Sequence, residues 1–361
     1  MIIFITRKYP PSIGGMQKLS YGLTSQMAKL TDVRVISWGG SQAFLPLFLP
    51  YAFLRAVWAL VRPGKVQLIH VSDPVLSPLG LGLKSLFKLP VATTVHGLDI
   101  TFPHPLYRFL IPPCLRQFDL LVCISQRVRE ECLSVGVPPP RCCLIPPGVD
   151  VDEEQLSRAE ARRVVEDLTG QSLEGIKILL SVGRLIKRKG ALNFIGRTLP
   201  LIVAQEHRVH YLVVGGGPER RHIEEKMREA GLEGWVSLLG QLDERSLKMA
   251  YVAADLLIMP NVPVAGDLEG FGLVALEASA HALPIVASDL EGIRDAVVPG
   301  RNGILVPHDD IEGQAEAILS LLADVDTRLE LGWKAREYVK EHHGWAEIAR
   351  RYLEAFTEIS A

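Results

Sequence analysis

Residues 266–280 read GDLEGFGLVALEASA and hold two carboxylates, Glu269 and Glu277, eight positions apart around a Gly-Phe-Gly turn. The apolar run Leu273–Ala280 reads as a helix with Gly272 near its start. Gly270 and Gly272 would let the backbone approach a ligand closely. The free N–H groups of a helix start, at the positive end of its dipole, suit an anion such as phosphate. Glu269 then sits on the loop just before the helix. Glu277 lies more than a turn inside it, and its two acceptor oxygens match the vicinal hydroxyls of a ribose. Taken alone, the pair is equally compatible with a solvated helix face and a loop-surface carboxylate.

Three further clusters point to anion chemistry. In SVGRLIKRKG, directly after an apolar run, Arg184 and Lys189 bracket a loop that ends at Gly190. Arg as a bidentate fork and Lys as a point charge together neutralise a diphosphate, while Lys187 and Arg188 read as surface charge. In YPPSIGGMQKLSYGL, Gly14 and Gly15 follow the first apolar run and precede an amphipathic pattern, a second strand–glycine–helix anion site. In TTVHGLDI, His96 falls at a strand end beside Gly97. A ligand-facing ring is expected there, against the alternative of a core histidine satisfied by backbone. Ser125 follows a strand in the same way and can donate a hydrogen bond or cap the next helix.

The dinucleotide fingerprint is missing. The first glycine loop is not G-x-G-x-x-G, and in VVGGGPER the third glycine position after Gly215 and Gly217 is Arg220. The loop around Gly216 therefore reads as a tight strand-to-helix turn lining a ligand cleft. No Ser-His-Asp elbow, H-E-x-x-H, Walker loop, EF-hand or loop D-x-D pair is present. A departing diphosphate would have to be stabilised by fixed cations and helix ends, with no metal and no other cofactor. The five cysteines, Cys114, Cys123, Cys132, Cys142 and Cys143, form no C-x-x-C pair. They read as small buried hydrophobes in a reducing cytoplasm.

Those residues need strands to hold them. Apolar runs at Ile2–Thr6, Val33–Ser37, Leu68–Val71, Val91–Val95, 120–124 and 143–145 form one series. Runs at 178–182, 210–214, 236–239, Leu256–Met259, 285–287 and 303–305 form another. They are continuous rather than alternating, as in strands buried on both faces of a parallel sheet. Helical patterns such as 17–30 and 221–230 supply the crossovers. The fold class is α/β, two doubly wound sheets in tandem, with the break near PPGVDVDEEQLSRAEARR. Domains are expected at 1–155 and 156–342, facing each other across a cleft at the carboxyl ends of their strands.

Charge divides along the chain. Residues 1–150 hold 15 Lys and Arg against 7 Asp and Glu, whereas the remainder holds 24 against 34. A basic first half suits a phosphate-bearing partner or a lipid surface; no nucleic-acid partner is expected. The segment 43–61, AFLPLFLPYAFLRAVWALV, approaches membrane-span length but carries Pro46, Pro50 and Arg55. It reads either as a buried helix or as a helix lying in a membrane interface, not as a span. The N-terminal run MIIFI meets Arg7 too early for a signal peptide, and a cytoplasmic location is expected, with peripheral contact at the inner membrane surface.

Taken together and in order, IGG, VHG, VGRLIKRKG, GGGPE and EGFGLVALEA resemble the retaining nucleotide-sugar glycosyltransferases of family four, almost end to end. The resemblance implies the GT-B architecture of two facing Rossmann-like domains. It implies that the second domain binds a nucleotide sugar, that the first binds a carbohydrate or lipid-linked acceptor, and that a last helix, 343–361, rejoins the first. By that likeness Arg184 and Lys189 hold the diphosphate, Glu277 holds the ribose and Glu269 lies against the donor sugar. Backbone at Phe271, Gly272 and Leu273 contacts sugar and phosphate. Gly14, Gly15 and Gly216 belong to the loops around the donor, and His96 contacts the sugar. Two departures are visible. NVPVAGDL is longer than the family's usual link to the first glutamate, so that Asp267 can alter donor-sugar contacts. Pro147 stands where the family often has Asn. Rivals are an epimerase, hydrolase or phosphorylase on the same plan, a nicotinamide-dependent oxidoreductase disfavoured by the missing fingerprint, and a non-catalytic sugar-nucleotide sensor.

Overall fold

The computed structural model describes residues 1–12, 14–62, 65–152 and 156–360. Contacts divide them into two compact units. The first comprises Met1–Val149, Gly266–Phe271 and the chain from His342 onward; the second comprises Asp150–Ala265 and Gly272–Glu341. The expected division at residue 155 falls on a stretch, 153–155, outside the described residues.

In the first unit the strands are β1 (Ile2–Thr6), β2 (Val33–Ser37), β3 (Leu68–Val71), β4 (Val91–Val95), β5 (Leu120–Cys123) and β6 (Cys142–Leu144). They pair in parallel in the order β2-β1-β3-β4-β5-β6. β1, β3, β4 and β5 are buried along their whole length, which is why they read as unbroken apolar runs. The strand order reverses between β1 and β3, and Arg7 and Asp73, just beyond those strands, form a 3.0 Å ion pair there.

Helix Trp345–Ser360 belongs to this unit and carries Trp345, Ile348, Ala349, Tyr352 and Phe356 into the core around Phe4, Met27 and Leu68. The indole of Trp345 packs against Gly22 and Gly148, where any Cβ would overlap it. Segment 43–61 is neither wholly buried nor spanning. Its helix, Leu45–Leu60, buries Phe48, Ala52, Ala56 and Ala59 and exposes Leu47, Tyr51, Leu54 and Trp58. Both stripes run at three- and four-residue spacing, so one helix is apolar on both faces. No helix among the described residues is long and apolar enough to cross a membrane.

The second unit repeats the plan with β7 (Lys177–Val182), β8 (Val209–Val214), β9 (Val236–Gly240), β10 (Leu256–Met259), β11 (Ile285–Ser288) and β12 (Gly303–Val306). The order is β12-β11-β10-β7-β8-β9, parallel throughout, with its reversal between β7 and β10. Asp255, just before β10, ties the amino ends of the central strands β10 and β7, away from the site. Its carboxylate accepts from the Ile178 amide at 2.8 Å and pairs with Arg158 at 2.7 Å and Arg328 at 3.3 Å.

Candidate active site

Open α/β sheets bind ligands beyond the carboxyl ends of their strands, at the point where strand order reverses. In the second unit that point lies between β7 and β10, and a cavity opens there. It is lined by the ends of both strands, by Gly183, Arg184, Leu185 and Lys189 after β7, by Pro260 and Asn261 after β10, and by Val274. Val274 sits in the first turn of helix Leu273–Ala280. Arg184, Lys189 and the positive end of that helix therefore meet at one cavity, as anion binding requires.

Glycines build its walls. Gly183 adopts φ +151° and the Lys189 side chain lies across it, 3.4 Å from where a Cβ would stand. Gly190, at φ +71°, ends the turn Lys187–Lys189 and packs so closely on the Pro260 carbonyl that no side chain fits. The β8 loop crosses the β7 loop with equal tightness. Gly215 and Gly217 abut the backbones of Gly183 and Leu185, and the Leu185 amide donates to the Gly216 carbonyl at 2.9 Å. The steric demand thus falls on Gly215 and Gly217, while a Cβ on Gly216 would meet only Gln241, at 3.8 Å. Arg188 corrects the sequence reading: it is 5% exposed, and its carbonyl accepts from the Val262 amide at 3.0 Å. It is a buried strut between the β7 and β10 loops rather than surface charge.

Gly272 caps the helix in the left-handed region, φ +89°, with no side-chain cap on the amides that follow. Glu277, in the middle of the helix, accepts from the Tyr251 hydroxyl at 2.8 Å. Tyr251 is a partner that no sequence pattern announces.

The remaining expected residues gather in the first unit. Gly270 was read as leaving room for a ligand; in the structure its missing side chain makes room for protein backbone. A Cβ there would overlap the His96 carbonyl, and a Cβ on Gly97 (φ +112°) would lie 2.8 Å from the Gly270 Cα. The stretch Leu268–Gly270 is thereby seated on the His96–Gly97 turn, and Glu269 is buried at 8% exposure. Phe271 follows with its ring centroid 6.1 Å from that of His343.

His96 is held from two sides. Its amide donates to both Asp99 oxygens at 3.0 Å, and its Nε2 lies 3.0 Å from the Ser72 carbonyl. A carbonyl only accepts, so Nε2 carries the proton and Nδ1 is left as an acceptor. That Nδ1 is buried without a hydrogen-bond partner among the described residues. His96 lines a cavity with Ser20, Ser72, Thr94 and Tyr352. Burial pushes the Asp99 carboxyl up to about 6, with the His96 amide pulling the other way. The spacing of Asp99, three residues after His96, is the sequence signal for this clamp; Ser72 comes from another strand and gives none.

Gly14 (φ +154°) precedes helix Gly15–Leu30, which has neither a side-chain cap nor an acidic residue in its first turn. Ser125 takes the capping role: its hydroxyl accepts from the Val128 amide at 3.1 Å. Cys123, Cys132 and Cys142 are buried, and among the described residues no group of three His, Cys, Asp or Glu can hold a metal ion.

Two family models match the chain in series. Residues 13–153 match Glycosyltransferase Family 4, and residues 176–324 match Glycosyl transferases group 1. The chain belongs to the family-four glycosyltransferases. It is a glycosyltransferase with the two-domain α/β GT-B fold. It is 26% identical to a GDP-mannose-dependent alpha-(1-6)-phosphatidylinositol monomannoside mannosyltransferase of Mycobacterium tuberculosis, over 97% of this chain and 96% of the relative. It is 27% identical to an alpha-maltose-1-phosphate synthase of Mycolicibacterium smegmatis over the full length of both. Among solved structures, HepE of Anabaena in complex with UDP superposes with a TM-score of 0.78 over 99% of each chain at 17% identity, a likeness of fold.

Proposed function

We propose that this glycosyltransferase moves a hexosyl group from a UDP- or GDP-sugar to an acceptor hydroxyl with retention at the anomeric carbon. The second unit takes the donor and the first takes the acceptor. One observation carries the reading: Arg184, Lys189 and the start of helix Leu273–Ala280 meet at a single cavity at the strand-order reversal of the second unit. As the glycosidic bond to phosphate breaks, the sugar gains oxocarbenium character and the diphosphate gains charge. Preorganised cations and helix amides at that diphosphate lower the barrier most, because they need no reorganisation. They also supply the positive charge that a divalent metal otherwise brings, so we read transfer as metal-independent.

Around the sugar, Glu269 orients hydroxyls and stabilises developing positive charge. His96, with Nδ1 as acceptor, receives a hydrogen bond from a sugar hydroxyl. Glu277 takes the ribose. HepE, crystallised with UDP, and the GDP-mannose-dependent mycobacterial relative support a nucleoside-diphosphate donor and leave both bases in play.

We read the acceptor as lipid-linked, and the enzyme as peripheral on the cytoplasmic membrane face. Residues 33–118 contain eight Lys and Arg but only two acids, Asp73 and Asp99. Both acids are engaged internally, by Arg7 and by the His96 amide. Over the same stretch Leu47, Tyr51, Leu54 and Trp58 are exposed on one helix face, with the Arg34, Arg55 and Arg62 guanidiniums within 5.4 Å of the Trp58 ring centre. Apolar stripe and cations side by side fit an anionic bilayer surface.

The decisive experiment is a thermal-shift panel of UDP-, GDP- and ADP-sugars followed by a transfer assay with the sugar that binds. A ligand at a hundred times its Kd stabilises by about 2.7 kcal/mol, a readily measured rise in Tm. Silence across the panel, or donor binding with no nucleotide released by any acceptor, refutes the proposal.

A further inference from the structure

Tyr251 lies on helix Glu244–Ala253, and Glu277 on helix Leu273–Ala280, both in the second unit. The phenol is 2% exposed, and its hydroxyl stands 2.8 Å from Glu277 Oε2. The imidazole of His281, one turn beyond Glu277, stacks on the phenol ring with centroids 5.7 Å apart and planes 20° from parallel. The ring is therefore fixed by packing, and the hydroxyl has one defined place to donate.

From this geometry we infer that Tyr251 is a positioning residue for donor recognition, holding the Glu277 carboxylate in the orientation that accepts the ribose hydroxyls. The inference rests on the reading of Glu277 as the ribose ligand and extends it to a second residue. A glutamate on a helix has several rotatable bonds, and ordering them on binding costs affinity. Tyr251 orders Glu277 before the nucleotide arrives. A carboxylate offers about four lone-pair directions, so it can keep the phenol while accepting ribose hydroxyls. Burial, reinforced by the neighbouring Glu277 charge, holds the Tyr251 hydroxyl protonated far above neutral pH, so it donates throughout the working range. A donor to a charged acceptor is a strong one.

The test uses the full-length wild type, Tyr251→Phe and Glu277→Ala, with UDP and GDP and their 2′-deoxy and 3′-deoxy forms as probes in titration calorimetry. The ratio of ribo to deoxy affinity is the readout, because it does not depend on the fraction of active protein and a merely structural defect leaves it unchanged. Wild type should prefer the ribo form, and Glu277→Ala should abolish that preference. Tyr251→Phe should weaken the ribo forms about five- to tenfold, the net size of one lost hydrogen bond, and the deoxy forms less than twofold. In turnover the Tyr251→Phe defect should sit in the donor KM rather than kcat, since ribose contacts are made alike in the ground and transition states. If Glu277→Ala keeps the ribo preference, the ribose reading of Glu277 fails and the inference falls with it. If Glu277→Ala loses the preference while Tyr251→Phe retains it in full, the role of Tyr251 alone is overturned.

Discussion

A Cβ on Gly270 would overlap the carbonyl oxygen of His96, so these two backbones touch only because that position has no side chain. The contact seats Glu269 beside the turn that aims His96. Gly270→Ala should therefore lower kcat by tenfold or more, because a backbone oxygen cannot move aside as a flexible side chain can. The control is Gly234→Ala, whose Cβ would enter open space, and which should match wild type in both Tm and kcat. Wild-type turnover in Gly270→Ala would show that the seating of Glu269 does not matter.

Arg184 and Lys189 should be separable by chemistry. Each alanine variant should cut turnover by roughly a hundredfold, in line with loss of a preorganised group at the developing charge. Arg184→Lys should recover only part of the loss, since an ammonium lacks the planar fork that grips two phosphate oxygens. Steady-state kinetics on the purified variants decides it, and unchanged rates would remove both residues from the mechanism.

The stripe on helix Leu45–Leu60 makes a membrane prediction. Wild type should co-sediment with phosphatidylglycerol vesicles and not with phosphatidylcholine vesicles, and salt should weaken the association. Replacing Leu47 and Leu54 with Ser should reduce binding at least tenfold, because each exposed leucine contributes about 1.5–3 kcal/mol when fully buried in an apolar phase. Indifference to anionic vesicles would refute the peripheral assignment.

Both sheets were legible in the sequence because parallel strands covered on both faces are continuous apolar runs; only strand ends shifted, by a residue or so. The glycine loops were equally readable, since a positive φ leaves a mark in residue type. Partners brought from other elements were not. Nothing near Glu277 in sequence names Tyr251, 26 positions earlier, and nothing near His96 names Ser72. Arg188 shows the converse failure: a charged run reads as solvated surface, yet Arg188 is only 5% exposed. Gly270 was correctly expected to permit close approach, but residue type cannot say whether ligand or backbone approaches.

Acid should destabilise the chain through two buried histidines. Burial pushes His70 down to about 3, where its Nε2 shares a 3.0 Å hydrogen bond with Thr94 Oγ1. His343, whose Nδ1 donates to the Pro147 carbonyl, is held at about 4, again mainly by burial. Unfolded, each titrates near 6.5, so below that pH the unfolded chain binds more protons and stability falls as pH falls. The loss begins below pH 6.5 and continues to about pH 4 for His343 and about pH 3 for His70. Between pH 6.5 and 5 it should amount to about 2 kcal/mol for each histidine at one unit per 1.36 kcal/mol. Asp99 opposes it. Its carboxyl, raised to about 6, is protonated more readily in the folded chain, so its contribution to stability grows as pH drops through 6 towards the ordinary carboxylate range. Two groups against one leave the net slope positive. Urea unfolding at pH 7, 6 and 5 should show the midpoint falling with pH, and His343→Asn, which keeps a side-chain donor but does not titrate, should remove about 2 kcal/mol of that fall, more than half of it once Asp99 is set against the pair. A midpoint that does not move between pH 7 and 5 in wild type would mean that neither histidine is held neutral.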